Sequence, residues 1–289
     1  MLDLLAIGDL MLDVRVESEA LAPGGDVPGR VRVRPAGTSA NAAVWAASVG
    51  ARAAVCARVG DDLVGRLLVA ALEEAGVEPI VTADPRVETG SMLVVQADGE
   101  RSMVADRGAN GRLAVEDLPA TIEARSVLLS GYVVLDPATE PVARAAIARA
   151  RDRAQHVAVD AASWSLLAPR VDAFLEATRG CDVLLANAEE AHALTGLEPE
   201  DAADELGRRY RTVVVKMGER GAVMCWEGLI AHFGGREVRA VNPTGAGDAF
   251  DGVFLAALVG NRSPADALHA ACVAGARVAA GPEAWPVRP

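Results

Sequence analysis

Short apolar runs of β type alternate along this chain with alanine-rich, amphipathic stretches of helical type. The helical stretches at 41–49 and 63–75 each stop at a glycine, Gly50 and Gly76. Strands that alternate with helices are typical of a mainly parallel central sheet with helices on both faces. We therefore predict a doubly wound α/β fold forming a single domain over residues 1–289. The predicted strands are Leu4–Gly8, Val127–Ser130, Val157–Asp160, Val183–Ala186 and Thr212–Lys216.

Two segments, approximately 13–34 and 90–107, depart from this alternation. Both alternate in strand fashion with charge on one side, and the second contains a turn at 97–100. Because both lie between elements of the main sheet, we expect a small β lid, discontinuous in sequence, over one edge of that sheet. An ordinary pair of edge hairpins is the alternative.

The composition limits the partners of the chain. A formal net charge of −12, with no block rich in Lys or Arg, argues against nucleic acid. No run of eighteen apolar residues predicts a membrane span, and the first residues lack signal-peptide features, so we expect a cytoplasmic protein. The four cysteines are far apart without CxxC spacing, which disfavours a disulfide framework or a zinc site. A bound phosphate would have to be held by helix-start amides, one or two cations and a metal.

Residues 241–250, with the sequence VNPTGAGDAF, lead into an apolar helical run that ends at Val259. Two glycines at a helix start let the backbone approach an anion, with amides and the helix dipole directed at it. Asp248 falls in the first helical turn, where it could accept a proton from an attacking hydroxyl. A capped helix is the alternative for the GAGD residues taken alone.

The segment resembles the carboxy-terminal signature of the ribokinase-like (PfkB) family, in which a TGAGD stretch supplies an anion hole and a catalytic base. The resemblance implies that Asp248 is the base and that Gly245, Ala246 and Gly247 form the anion hole. It also implies ATP-dependent phosphorylation of a hydroxyl group of a sugar or sugar-like substrate. Other family features follow in the expected order, so the resemblance covers nearly the whole chain.

Three further segments are similar to the family's sugar-binding elements. Residues 35–41 look like its amino-terminal glycine-rich signature, and residues 105–110 look like the strand-to-loop segment that closes the sugar pocket. Asp13, which follows the first strand, corresponds to an acid of the family that hydrogen-bonds substrate hydroxyls. The alternatives are that Asp13 is a turn residue, that residues 35–41 are an ordinary glycine-started helix, and that Arg107 lies in solvent. The resemblance assigns to the sugar Asp13, Gly37, Asn41, Arg107 and Asn110.

The nucleotide side follows in the same way. Residues 187–190 fit the family's NxxE element, which organises magnesium and its waters. Residues 216–221 resemble its nucleotide-binding turn, and the predicted helix 264–280 would pack beside the adenine. The alternatives are an ordinary helix start for residues 187–190, a surface lysine for Lys216 and ordinary helix packing for residues 264–280. The implied cofactors are ATP and Mg²⁺, with ATP contacted by Asn187, Lys216, Gly218, Gly221, Ala271 and Ala274, and Mg²⁺ held through water by Glu190.

Two departures from the family pattern affect specificity. Asn242 stands where many members have an aspartate that helps bind a monovalent cation, so potassium activation is in doubt. Residues 161–165 lack the DxNxR pattern associated with ketodeoxygluconate kinases and many fructokinases, which makes those substrates less favoured. A homodimer through the lid is a further expectation.

Four other functions are the alternatives. A nucleoside kinase of the same fold is the nearest, but aromatic residues make up only 3% of the chain, with Trp45 and Trp164 available to stack on a base. A non-catalytic sugar-binding protein would not need Asp248 beside an anion hole. A dehydrogenase would require GxGxxG after the first strand, and a Walker-type ATPase would require GxxxxGK[ST]; both motifs are absent. The sugar, the hydroxyl that is phosphorylated and the oligomeric state stay open.

Overall fold

The computed structural model describes residues 1–22, 24–97, 100–235, 238, 241 and 243–286, apart from the side chain of Arg101. The described chain forms two separate sheets and ten α-helices. The strands are β1 Leu2–Ile7, β2 Met11–Ser18, β3 Gly29–Ala36, β4 Ala53–Gly60, β5 Glu78–Asp84, β6 Ser91–Ala97, β7 Glu100–Asp106, β8 Ala124–Ser130, β9 His156–Asp160, β10 Val183–Asn187, β11 Thr212–Lys216, β12 Ala222–Trp226 and β13 Leu229–Phe233. The helices are α1 Thr38–Ser48, α2 Leu63–Glu74, α3 Gly131–Leu135, α4 Glu140–Ala150, α5 Trp164–Leu167, α6 Val171–Ala177, α7 Ala188–Thr195, α8 Pro199–Gly207, α9 Ala246–Val259 and α10 Pro264–Ala279.

The large sheet has the strand order β13-β12-β11-β10-β9-β8-β1-β4-β5. The strands from β11 to β5 run parallel, and β12 and β13 form an antiparallel edge. Every predicted strand lies in this sheet, with its ends within a few residues of the prediction. The mainly parallel sheet is therefore confirmed.

Helices cover both faces of the large sheet, as predicted. Leu4 and Ala6 of β1 pack with α1, α2, α9 and α10, whereas Leu5 and Ile7 pack with helices from α3 to α8. Neighbouring side chains of one strand enter opposite cores because they point to opposite faces of the sheet. Among the described residues, no helix combines the length and the apolarity needed to span a bilayer.

The small sheet has the order β3-β2-β6-β7. Strand β2 pairs antiparallel with β3 and parallel with β6, so the two segments expected to form the lid join in one sheet. We call it the lid sheet. Of the turn predicted between β6 and β7, Asp98 and Gly99 lie outside the described residues.

The lid sheet has one charged face and one apolar face. Asp13 pairs with Arg34 and Arg15 pairs with Arg32 across β2 and β3, which places these four side chains on the same face. The residues between them in sequence point to the opposite face. The apolar face carries Val14, Val16, Val31, Val33, Leu93, Val95 and Val104.

The strand order of the large sheet reverses between β1 and β8. From β1 the chain continues through β4 to β5, and from β8 it continues the other way through β9, β10 and β11. Ligands of open α/β sheets bind in the crevice outside the carboxyl ends of the strands at such a point. Polar residues stand at these ends, namely Asp9, Ser130, Asp160, Asn187 and Lys216.

Candidate functional site

Asp248 lies in the first turn of α9, at the carboxyl end of the large sheet. Gly245 precedes the helix with a φ of 84°, and a Cβ at this position would stand 2.9 Å from the Cβ of Ala284. The Nδ2 of Asn41, in α1, donates a hydrogen bond of 2.7 Å to the Oδ2 of Asp248. The structure thus places the predicted base against a residue predicted to contact the sugar.

The environment of Asp248 sets its proton affinity. Protein surrounds most of the carboxylate, although part of the side chain is accessible, and this burial raises the pKa of Asp248 to about 6. The hydrogen bond from Asn41 and the charge of Lys216 lower the pKa, whereas Asp160 and Asp9 raise it. Near pH 7 the group is mostly ionised yet close to its pKa, which suits a general base.

Lys216 is the only lysine of the sequence, and it lies beneath the start of α9. Its Nζ donates to Asp160 Oδ2 at 2.9 Å and to both carboxylate oxygens of Asp251 at 3.0 Å. A Cβ on Gly247 would stand 3.5 Å from this Nζ. Burial disfavours the ammonium, but Asp160 and Asp251 together raise the pKa of Lys216 above its ordinary value.

Asn187 and Glu190 cap the start of α7 reciprocally. The carboxylate of Glu190 accepts from the backbone N–H of Asn187 at 2.8 Å and from its Nδ2 at 2.9 Å, while Asn187 Oδ1 accepts from the Glu190 N–H at 2.8 Å. Burial and the charge of Asp160 raise the pKa of Glu190 to about 7, against the opposing effect of Lys216. The predicted NxxE element is thus a capping box, and it lies beside Lys216 and Asp160.

Asp13 is buried in β2. Its Oδ2 accepts a 2.7 Å hydrogen bond from Arg15 Nε, and its Oδ1 is buried with no hydrogen-bond partner in the described part of the chain. A cavity of about 240 Å³ adjoins Asp13, between the charged face of the lid sheet and residues 282–286, which we call the C-terminal segment. An unpaired buried oxygen is an acceptor suited to a ligand hydroxyl.

The other residues predicted for the sugar side surround the connection between β1 and β2. Arg107 donates to Asp136 Oδ2 at 2.7 Å and to Asp9 Oδ1 at 3.0 Å. The Asn110 amide exchanges two 3.1 Å hydrogen bonds with the backbone of Leu10. These contacts hold the start of the lid in place, and contact with substrate stays a prediction for both residues.

Gly37 begins α1 with a φ of 118°, and a Cβ there would lie 2.2 Å from the carbonyl oxygen of Asp9. Only glycine allows this approach, which brings α1 and its Asn41 against the end of β1. The substitution of any other residue would separate the two elements. Contact of Gly37 with the sugar stays a prediction.

Four of the residues predicted for the nucleotide lie in the turn after β11 and in α10. Gly218 and Gly221 form the turn after β11, and Ala271 and Ala274 are buried in α10, which packs against α9. Contact with ATP stays a prediction for all of them. Asn242, on which the doubt about potassium rests, lies outside the described residues.

Sequence reasoning did not single out several residues of the site. Tyr132 lies in the first turn of α3, and burial together with the charges of Asp9, Asp160 and Asp248 raises its pKa to about 12. Asp160 ends a predicted strand, and its position at the carboxyl edge was the available signal. The others are Asp251, which lies one helical turn after the base, and Trp285, which has no local signal at all.

A doubly wound sheet with a separate lid sheet, and with an acid at a glycine-rich helix start in its crevice, defines small-molecule kinases of the ribokinase-like fold. The comparison with known families agrees. The chain belongs to the pfkB family of carbohydrate kinases, whose profile matches residues 1–284. The predicted activity class, phosphorylation of a sugar hydroxyl, is thereby confirmed.

Individual relatives show the same similarity. The chain is 30% identical to the 2-dehydro-3-deoxygluconokinase of Thermoproteus tenax, over 96% of this chain and 88% of the relative. It is 27% identical to the ribokinase of Haemophilus influenzae, over 86% and 82% of the two chains. Among solved structures, a candidate ribokinase II from E. coli in complex with ATP and Mg²⁺ superposes with a TM-score of 0.85 at 22% identity, covering 98% of this chain and 94% of that one.

Replacement of Lys216 by methionine should destabilise the fold strongly. Asp160 and Asp251 would lose their shared cation, and a broken buried ion pair typically costs about 3–5 kcal/mol. Loss of the cation would raise the pKa of Asp251 further above its ordinary value in the folded chain, so a proton would be held there but not in the unfolded chain. Stability of Lys216→Met should therefore fall further as the pH rises above about 4, the ordinary aspartate pKa.

Urea unfolding of Lys216→Met at pH 5 and pH 8 measures both effects. Asp251→Asn is the comparison variant, because it leaves the Lys216–Asp160 pair intact and should cost less. Equal stability of Lys216→Met and wild type at pH 8 would show that the ammonium does not compensate the carboxylates.

Proposed function

We propose that this carbohydrate kinase transfers the γ-phosphoryl group of ATP to a sugar hydroxyl, with Asp248 as the general base. The observation that carries the proposal is the position of Asp248, at a glycine-rich helix start and hydrogen-bonded to Asn41 at 2.7 Å. The hydroxyl proton passes to Asp248 while the sugar oxygen bonds to the γ-phosphorus. The bond from that phosphorus to the bridging oxygen breaks, and ADP leaves.

The start of α9 would stabilise the charge on the transferred phosphoryl group. Gly245 and Gly247 contribute amides at the positive end of the helix dipole. The N–H of Ala246 already donates to the carbonyl of Pro243 at 3.1 Å, so its part in the anion hole depends on release of that bond. Lys216 adds a fixed positive charge behind the turn.

Carboxylate and amide oxygens are the donors that Mg²⁺ accepts, and Glu190 with Asn187 offers both. The Glu190 oxygens already accept from Asn187, and no group of three acidic, cysteine or histidine side chains forms a metal cage in the described residues. This donor set fits an ion that keeps most of its waters and is contacted by Glu190 through them. When bound with ATP, the ion would neutralise charge on the phosphates.

The substrate should be a sugar whose hydroxyls reach Asp13 and Asn41. The named relatives act on different sugars, so their names do not select one. A nucleoside kinase of the same fold, which would phosphorylate the ribose hydroxyl of its substrate, is the alternative. A panel of pentoses, hexoses, ketoses, sugar acids and nucleosides, assayed with ATP and Mg²⁺, decides between the two classes.

The setting of the enzyme is also a proposal. We propose the cytoplasm, where ATP and small sugars are both supplied. The net charge of −12 argues against nucleic acid as a partner. Activation by a monovalent cation is left to a direct comparison of potassium and sodium in the assay.

Asp248→Asn should leave a folded protein that binds ATP but is nearly inactive. The asparagine oxygen can still accept from Asn41, so the local structure is kept, while the loss of a positioned base lowers the rate about a hundredfold to ten-thousandfold. Steady-state kinetics and calorimetric ATP titration measure the two effects. A rate within about threefold of wild type would remove Asp248 from the base role.

Asp13→Ala should weaken sugar binding and leave ATP binding unchanged. The variant removes the acceptor for a sugar hydroxyl, and an unpaired buried hydroxyl costs about 1–3 kcal/mol, or roughly five- to a hundredfold in affinity. The apparent affinities for sugar and ATP are measured separately. Glu17→Ala is the matched control, because it removes an exposed acid from the same strand. Equal weakening of both substrates would contradict the division into a sugar side and a phosphate side.

We propose that two copies of the chain associate through the apolar face of the lid sheet. Val31 and Val104 are 62% and 66% exposed on this face, which is unusual for large apolar side chains of one contiguous surface. Val31→Asp should shift a dimer toward monomer in sedimentation velocity, because it places a charge in the interface. A wild-type chain that sediments as a monomer at micromolar concentration would refute the dimer.

A further inference from the structure

The C-terminal segment crosses the site between the lid sheet and the start of α9. After α10 ends at Ala279, the chain returns toward α1, where Trp45 Nε1 donates to the carbonyl of Ala284 at 2.7 Å. Arg34 of β3 forms two hydrogen bonds with the carboxylate of Glu283, at 2.7 and 3.0 Å. The segment is therefore fastened both to the core and to the lid sheet.

Trp285 provides the third attachment, and it reaches the catalytic groups. Its Nε1 donates to Asn41 Oδ1 at 2.7 Å, and Asn41 Nδ2 donates in turn to Asp248 Oδ2 at 2.7 Å. The tryptophan also lines both the 240 Å³ cavity beside Asp13 and an apolar groove of about 1070 Å³ next to α1 and α2. The Trp285 indole, the Asn41 amide and the Asp248 carboxylate thus form one continuous chain of hydrogen bonds.

The chemistry of the three groups fixes the donor-to-acceptor direction of these hydrogen bonds. An indole N–H can only donate, an ionised carboxylate can only accept, and an amide offers one group of each kind. If the Asn41 amide were turned over, its NH₂ would face the indole N–H and its oxygen would face the carboxylate. Trp285 therefore favours the one orientation in which Asn41 donates to ionised Asp248.

We propose that Trp285 is a positioning residue for phosphoryl transfer, which orients the Asn41 amide so that Asp248 stays ionised and directed at the sugar hydroxyl. This inference rests on the proposed role of Asp248 as the base. Trp285 acts entirely through Asn41 and needs no contact with the reacting atoms. The C-terminal segment is then part of the catalytic apparatus, although it lies outside every predicted motif.

The charged groups around Asp248 make this donor important. Asp9, after β1, and Asp160, at the end of β9, raise the pKa of Asp248, and Lys216, at the end of β11, lowers it. The neutral phenol of Tyr132, in α3, faces the same carboxylates. The hydrogen bond from Asn41 also lowers the pKa, so its loss would leave Asp248 protonated to a higher pH.

Trp285→Phe tests the proposal, because it keeps an aromatic ring and removes only the N–H donor. The acidic limb of the pH profile of kcat should move up by about half a unit to one unit relative to wild type, as expected for one weakened hydrogen bond. At alkaline pH, where Asp248 is ionised in both proteins, kcat should stay within about threefold of wild type. If the phenylalanine variant is poorly folded, Trp285→Leu can replace it, because this variant removes the same donor and should give the same shift.

Trp226→Phe is the matched control, since Trp226 lies at the end of β12 opposite Thr212, far from Lys216 and the site. Its profile should coincide with that of wild type. An unmoved limb in Trp285→Phe, or a loss of kcat that is uniform across pH, would overturn the positioning role. An active Asp248→Asn variant would refute the proposed function itself. An inactive Asp248→Asn variant, combined with an unmoved acidic limb in Trp285→Phe, would refute only the positioning role of Trp285.

Discussion

One buried ammonium makes the arrangement of this site feasible. The parallel sheet brings the ends of β9, β10 and β11 together with the start of α9, which gathers the carboxylates of Asp160, Glu190, Asp248 and Asp251 in a small volume. Lys216 donates to Asp160 and Asp251 and lowers the pKa of both Glu190 and Asp248. Without this charge, the acids would repel one another in a region that water cannot screen well. The architecture concentrates acid where phosphate must bind, and a single internal cation offsets it.

Asn41 connects the two halves of the catalytic arrangement. Its helix, α1, is held against β1 by the glycine at its start, and its amide joins the base on α9 to the C-terminal segment. The same segment is hydrogen-bonded to β3 of the lid sheet. A movement of the lid sheet would therefore be transmitted to the groups that hold Asp248, which gives lid closure a physical route to the base.

Periodicity and motifs predicted the sheet, the lid sheet and the helix that carries Asp248, because each depends on a local pattern of apolar residues and glycines. The capping box of Asn187 and Glu190 was also readable locally, as a spacing of three residues. The ion-paired group of Asp160, Lys216 and Asp251 could not be predicted in this way, because its members come from three separate elements and meet only through sheet topology. Trp285 lay further still from prediction: its partner Asn41 is distant in sequence, and no pattern in the last residues signals the contact.

The pH dependence of kcat for the wild-type enzyme, at saturating sugar and ATP, tests the central claim most directly. If a buried Asp248 accepts the hydroxyl proton, the rate should fall on the acid side with an apparent pKa of about 6. A rate that stays constant down to the ordinary pKa of an aspartate, about 4, would contradict this account.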